Sequence, residues 1–228
     1  MDIAENLKLI NERIQAAGER SGRNPAEVKL VAVSKNKPVE MINEAIEAGI
    51  TRFGENRVQE AMVKIPQIKA TVEWHLVGTL QTNKVKKAIE LFSIIQSVGS
   101  LHLAEEIERR CAQKNIIMPV LIEVNTSGEP TKHGVQPEQL AELLKQVLLL
   151  PHLKVQGLMT IGPGLAIENP EASRTCFRLL SRLRAELQDR LEIHLPELSM
   201  GMSSDFEIGI EEGATIIRIG TALFGPRT

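Results

Sequence analysis

Val28-Lys29-Leu30-Val31-Ala32-Val33-Ser34-Lys35 is a short β-branched run, and its pairing with the segment after Pro38 decides the fold. Pro38 suits a first helical turn, apolar residues then recur at Val39, Ile42, Ala45 and Ile46, and Gly49 closes the segment. One strand leads into one helix, and the alternation repeats outward along the chain. Further strand-like segments lie at 51–55, 73–78, 93–98, 119–125, 154–161, 197–201 and 215–220. Helical patterns sit between them, near 39–48, 56–68, 81–90, 100–114, 137–149, 169–190 and 204–212. Several strands are nearly continuous apolar runs, as in sheets covered on both faces. Repeated βα units of this number predict an α/β fold: a single-domain (β/α)8 TIM barrel over residues 1–228. Ile3, Leu7, Ile10, Ile14 and Ala17 have helical spacing and add an N-terminal helix before the first strand. The rival is an open doubly wound sheet. It would usually carry a glycine-rich phosphate loop after the first strand, but Ser34-Lys35-Asn36-Lys37-Pro38 contains no glycine.

Composition narrows the class. A chain of 228 residues can bury a full core without staples. Hydrophobic residues are 43%, charged residues 25% and net charge −2, which excludes extensive disorder and leaves no basic field for nucleic acid or an anionic membrane. The two cysteines, Cys111 and Cys176, form no CxxC or Cys/His cluster, which argues for a reducing compartment and against structural zinc. There is no tyrosine, so no phenol of this chain can act as acid or base. No apolar run approaches the roughly 18 residues of a membrane span, and the charged, amphipathic start is not a secretory signal. A soluble cytoplasmic protein is expected, with neither nucleic-acid nor membrane partner.

In a barrel, chemistry sits at the carboxyl ends of the strands. Those ends carry Ser34-Lys35, Gly54-Glu55-Asn56, His75 to Gly78, Gln96-Ser97, Glu123 to Asn125, Met159-Thr160, Ser199 to Ser203 and Arg218 to Thr221. A lysine at a barrel mouth is partly desolvated, which favours the free amine, and a free amine attacks aldehydes to give a Schiff base. Lys35 holds that position, with a solvated strand-exit lysine as the plainer alternative; Lys37 is read as a surface residue. Gly220-Thr221 opens a short helical stretch whose N–H groups can face an anion. Gly201-Met202-Ser203-Ser204-Asp205 offers more small residues and hydroxyls beside it, although Asp205 could equally cap the next helix. Barrels often bind phosphate after strands seven and eight. Arg218 lies two residues before Gly220, hence on the same side, and needs an acceptor. Either a pyridine nitrogen or a carboxylate such as Glu123 or Glu207 would serve. Lysine, phosphate cup and arginine together point to pyridoxal 5′-phosphate (PLP).

VAVSKNKP (31–38), FGENRVQE (53–60), WHLVGTLQTNK (74–84), GLMTI (157–161), LSMGMSSD (198–205) and IIRIGTALFG (216–225) resemble the pyridoxal-phosphate homeostasis protein family, also called YggS/PROSC-like. The resemblance implies a barrel of the alanine racemase type, with PLP on Lys35 as a Schiff base. It implies phosphate binding by Ser203, Gly220 and Thr221 with Ser204 nearby, Arg218 at the ring nitrogen, Asn56 near the ring and Met200 in the pocket lining. It further implies that Lys132 is the counterpart of a loop lysine that follows the fifth strand in other members. Barrel racemases of the alanine type also need a tyrosine from a separate β-domain as second base. This chain has no tyrosine and ends on Gly225-Pro226-Arg227-Thr228, so no second domain is expected. His75 is a conceivable substitute base or a packing residue.

The reading is therefore a PLP-binding protein of intracellular vitamin B6 homeostasis, and thereby of amino-acid and keto-acid pools, with no catalytic residue and no metal. The alternative is a PLP-dependent racemase or lyase acting on an unidentified amino acid. PLP-requiring apo-enzymes are the expected recipients, and a monomer is expected. Arg174, Arg178, Arg182 and Arg184 are read as a solvated helix face. Lys84, Lys86 and Lys87 begin a helix, which the dipole disfavours unless an anion or partner binds there. Met41, Met62 and Met118 are read as core.

Overall fold

Each apolar run forms a strand and each amphipathic pattern a helix in the computed structural model, which describes residues 2–226. The first half of the chain forms α1 (Ile3–Ser21), β1 (Lys29–Val33), α2 (Val39–Glu47), β2 (Arg52–Glu55), α3 (Val58–Lys64), β3 (Glu73–Leu76), α4 (Val85–Leu91) and β4 (Ile94–Val98). The second half forms α5 (Leu101–Lys114), β5 (Met118–Glu123), α6 (Leu140–Leu148), β6 (Leu153–Met159), α7 (Arg174–Leu191), β7 (Glu197–Met202), α8 (Phe206–Glu211), β8 (Ile216–Ile219) and α9 (Thr221–Phe224). Consecutive strands are parallel neighbours, and β8 pairs back onto β1, with Lys29 opposite Ile216 and Ala32 opposite Ile219. The eight strands close into a barrel, as the βα repeat predicts.

Side-chain alternation along each strand divides the core into two layers. Val31, Ile94, Leu121, Met159 and Ile216 pack together inside the barrel. Ala32, Ile95, Ile122, Leu198 and Ile217 belong to the larger layer shared with the helices. Both faces being covered explains why the strands read as unbroken apolar runs. Asp2 caps α1, its carboxylate accepting from the Ala4 N–H at 3.0 Å, and Gly22 ends the helix in a left-handed conformation at φ 67°. The apolar stripe of α1 packs against α8 and α9, and Asn6 Nδ2 donates to the Leu223 carbonyl at 2.9 Å. Among the described residues no helix is long and apolar enough to cross a membrane.

Element ends depart from the sequence reading where the barrel mouth is built. The helix expected over 56–68 starts at Val58, because the chain bends at Asn56 and Arg57 stays extended, and it tightens into a 3₁₀ turn at Ile65–Gln67 around Pro66. The strand expected over 73–78 ends at Leu76. Beyond it Gly78 passes so near the second strand's exit that a Cβ there would lie 2.4 Å from the Asn56 carbonyl oxygen. Met62 is 42% exposed rather than core, lying on the outer face of α3. The arginines of α7 are not simply solvated: Arg174 pairs with Glu211 at 2.8 Å and Arg178 with Glu212 at 2.8 Å, tying α7 to α8.

Candidate functional site

The carboxyl ends of the strands enclose a cleft of about 620 Å³. Val33, Val77, Ile161 and Met202 give it apolar walls, and Lys35, Asn56, Ser203, Ser204, Arg218, Gly220 and Thr221 supply its polar groups. Among the described residues no carboxylate lines it, and Lys35 and Arg218 are the charged side chains that do. Its size and its apolar walls with few polar groups suit a small organic anion. These polar residues are the predicted site residues with one exception. Met200 is fully buried in the layer between sheet and helices. Ser199 points into the barrel, so its neighbour Met200 points out. The register then shifts between Ser199 and Met202, Gly201 takes φ 92°, and Met202 turns into the cleft instead.

Arg218 is 4% exposed and holds none of the carboxylates considered as partners. It donates to Ser199 Oγ at 2.6 Å and to the Thr160 carbonyl at 2.8 Å. Glu207 instead pairs with Arg13 on the outside of the barrel. Burial pushes the Arg218 pKa down to about 10, against the opposing pull of Asp205 and Glu123, so the guanidinium stays charged at neutral pH. Its support continues across the barrel interior. Ser199 Oγ donates to Gln96 Oε1 at 2.6 Å, and Gln96 Nε2 meets His75 Nδ1 at 2.8 Å. His75 is buried, and desolvation holds its pKa down to about 4, so the ring is neutral and Nδ1 accepts. His75 does not line the cleft.

Beside Arg218, at the ends of the neighbouring strands β7 and β8, Ser203 Oγ accepts from the N–H groups of Gly220 and Ala222, each at 3.2 Å. The loop after β7 and the start of α9 thus converge at one point, as the sequence predicts. Asp205 occupies the cap position of α8 but does not cap it. Its carboxylate accepts from the Met202 N–H at 2.7 Å and from Ser173 Oγ at 2.5 Å, fixing the serine loop instead.

Lys37 reverses its expectation. It is 9% exposed, and its ammonium donates to the carbonyls of Phe224 at 3.1 Å, Gly225 at 3.3 Å and Pro226 at 2.9 Å. The carbonyl oxygens left over at the end of α9 need donors, and Lys37 supplies them. Lys132 donates to the Gly162 carbonyl at 3.1 Å and lines no part of the cleft. Lys84 faces a neighbouring cleft that shares Asn56, and Lys87 pairs with Glu90 at 3.3 Å. Sequence reading assigned no role to the residues behind the site. Glu55, Gln96 and Ser199 are visible as polar residues at strand ends, whereas Lys64 on α3 carries no local signal.

Residues 5–228 match the family described as alanine racemase, N-terminal domain. The pyridoxal phosphate homeostasis protein of Aquifex aeolicus is 52% identical over 228 residues, covering 100% of this chain and 99% of the relative. The chain belongs to the pyridoxal phosphate homeostasis protein family. The family member of Escherichia coli is 40% identical over 99% of this chain and 97% of its own length. A solved structure of PipY of Synechococcus elongatus, with PLP bound, is 40% identical, has a TM-score of 0.83 and covers 98% of this chain and 100% of PipY. Alanine racemase of Clostridium difficile shares the fold at 15% identity and a TM-score of 0.79, and this chain covers 56% of it.

Proposed function

We propose that this protein binds pyridoxal 5′-phosphate in the mouth of its barrel and serves intracellular vitamin B6 homeostasis by holding and releasing it, without turnover of an amino acid. The observation that carries the reading is one cleft that joins Lys35, Arg218 and the Ser203–Gly220 cup and is lined by no carboxylate among the described residues. When bound, the cofactor supplies an aldehyde that a primary amine can attack. Lys35 is the amine at the site. Ser203, Gly220 and Thr221 take the phosphate, with Ser204 beside them, since hydroxyls and N–H groups at a helix start are good donors to an anion. Arg218 faces the ring nitrogen and Asn56 lies near the ring. A permanently protonated arginine keeps that nitrogen unprotonated and the ring a poor electron sink.

Several features support holding over turnover. The chain has no tyrosine. His75 spends its Nδ1 on Gln96 and stands outside the cleft. The full-length relatives are named for homeostasis of the cofactor. We place the protein in the cytoplasm, on the ground that Cys111 and Cys176 are both free thiols, and read it as a monomer that passes PLP to apo-enzymes.

Borohydride reduction of the PLP-loaded protein, followed by peptide mapping, is expected to leave the added mass on Lys35. A modified wild-type residue other than Lys35, or none, overturns the assignment. Incubation with a panel of L-amino acids is expected to give no sustained D-amino acid or keto product. Product at ordinary enzyme rates, on the order of 1–10³ s⁻¹, establishes the racemase or lyase alternative.

A further inference from the structure

Behind the Lys35 turn lies a cluster of buried charges that the cleft does not use. Glu55, at the end of β2, is 0% exposed, and Lys64, at the end of α3, is 8% exposed. The three hydrogens of the Lys64 ammonium go to three acceptors: the Ser34 carbonyl at 2.7 Å, Glu55 Oε1 at 3.0 Å and Glu60 Oε1 in a very short contact. Ser34 Oγ donates to the same Glu55 oxygen at 2.8 Å, and the Ser34 N–H donates to the Gly54 carbonyl at 2.9 Å. On the other side of Lys35, the Asn36 N–H donates to Glu60 Oε1 at 2.6 Å. Asn36 itself sits in the left-handed region at φ 58°. The residue before Lys35 and the residue after it are thus both tied to one ion cluster.

Stability alone does not account for this arrangement. Burying an ammonium and carboxylates costs several kcal/mol per ion in general, and apolar residues of similar volume often do as well or better. Glu55 Oε2 is in addition buried with no hydrogen-bond partner, a further cost. What the cluster supplies is direction. The Ser34 carbonyl, the Ser34 hydroxyl and the Asn36 amide have fixed partners on β2 and α3, so the short turn between them has little freedom.

We propose that Lys64, acting with Glu55 and Glu60, is a positioning residue for Lys35: the buried cluster holds the turn so that the Lys35 amine is presented for covalent capture of an aldehyde. The inference rests on the assignment of Lys35 made above. Lys64 touches neither the cleft nor its ligand, and its effect is carried by the backbone of residues 34–36.

The test uses full-length, cofactor-stripped protein with Lys64→Met, which keeps the length and apolar stem of the side chain. Two ligands separate positioning from binding: PLP, and pyridoxine 5′-phosphate, which has the phosphate and ring but no aldehyde. Loss of a charge-assisted hydrogen bond of this kind corresponds to about tenfold or more. The rate of imine absorbance growth with PLP is expected to fall by about that factor, while affinity for pyridoxine 5′-phosphate stays within about twofold of wild type. Amide hydrogen exchange at Asn36 is expected to accelerate by about tenfold. Glu60→Leu, on the rim of the cluster, is expected to reproduce both effects if Lys64→Met does not fold, and Glu60→Gln, which keeps an acceptor for Asn36, is expected to restore most of the capture rate. Unchanged capture and unchanged exchange in Lys64→Met, or in Glu60→Leu if the former does not fold, overturn the proposal. So does an equal loss of affinity for both ligands, which marks a general collapse of the site. If the wild-type adduct maps to a different lysine, the assignment of Lys35 fails and the role in capture falls with it, while the exchange data still report whether the cluster orders the turn.

Discussion

His75 shows how a single residue in the barrel interior couples to acidity. Its ring is desolvated, opposed by the attraction of Glu73 and assisted by repulsion from Arg52 and Lys29, and its pKa lies at about 4 against an ordinary value of 6.5. The folded value is depressed, so the unfolded chain takes up the proton first. The stability this confers is present above pH 6.5 and is lost progressively as pH falls toward 4. The span corresponds to an upper bound of about 3–4 kcal/mol. Urea unfolding of wild type and His75→Gln at several pH values between 7 and 4.5 checks this. The wild type is expected to lose more stability over that range than the variant, and parallel curves would show that His75 titrates normally. Arg218 belongs to the same chain of contacts. Its charge is tolerated inside the barrel because Ser199 Oγ and the Thr160 carbonyl accept from it, and the Ser199 lone pairs face Arg218 because its O–H donates to Gln96 Oε1.

At the level of elements, the candidate phosphate cup is the meeting of the β7–α8 loop with the start of α9. α9 is one turn long and its leading N–H groups have no partner within the helix. Ser203 Oγ accepts two of them, from Gly220 and Ala222. Ser203→Ala removes that acceptor together with the hydroxyl proposed as a phosphate donor. Retention of PLP on dialysis is expected to weaken by roughly 1.5–3 kcal/mol, the range for a hydrogen bond to a charged group, with the backbone donors keeping the remainder. Unaltered retention would place the phosphate elsewhere. Lys37 joins the same region from the other side. By donating to the carbonyls of Phe224, Gly225 and Pro226 it ties the end of α9 to the loop that carries Lys35.

Over the whole molecule, both thiols are enclosed. Cys111 is 0% and Cys176 8% exposed, and burial pushes the Cys111 thiol up to about 11 and the Cys176 thiol upward as well. A thiolate is the reactive form, so neither should react while the barrel is closed. At pH 8 an aromatic disulfide reagent is expected to leave the native protein unmodified over minutes and to label both thiols in denaturant. Labelling of either thiol in the native protein at the rate of a free cysteine would reveal local opening of the helix layer. The packing of α1 against α8 and α9 makes the N-terminal helix part of the same closed layer.

The order of strands and helices, the barrel and most of the cleft were legible in the amino-acid sequence, because apolar periodicity reports which face of each element is covered and the barrel topology places strand ends at one mouth. Lys35, Asn56, Ser203, Ser204, Arg218, Gly220 and Thr221 could be placed there from sequence for that reason. Tertiary structure alone decided that Met202 rather than Met200 turns into the cleft, since the register shift and the conformation of Gly201 override the strand's alternation. It decided that Lys37 is buried, since its acceptors lie 187 to 189 residues away at the other end of the chain. It brought Lys64 beneath Ser34 across 30 residues. Periodicity is a local property of the chain; the partner of a buried charge is set by which distant segments the closed barrel brings within hydrogen-bond reach.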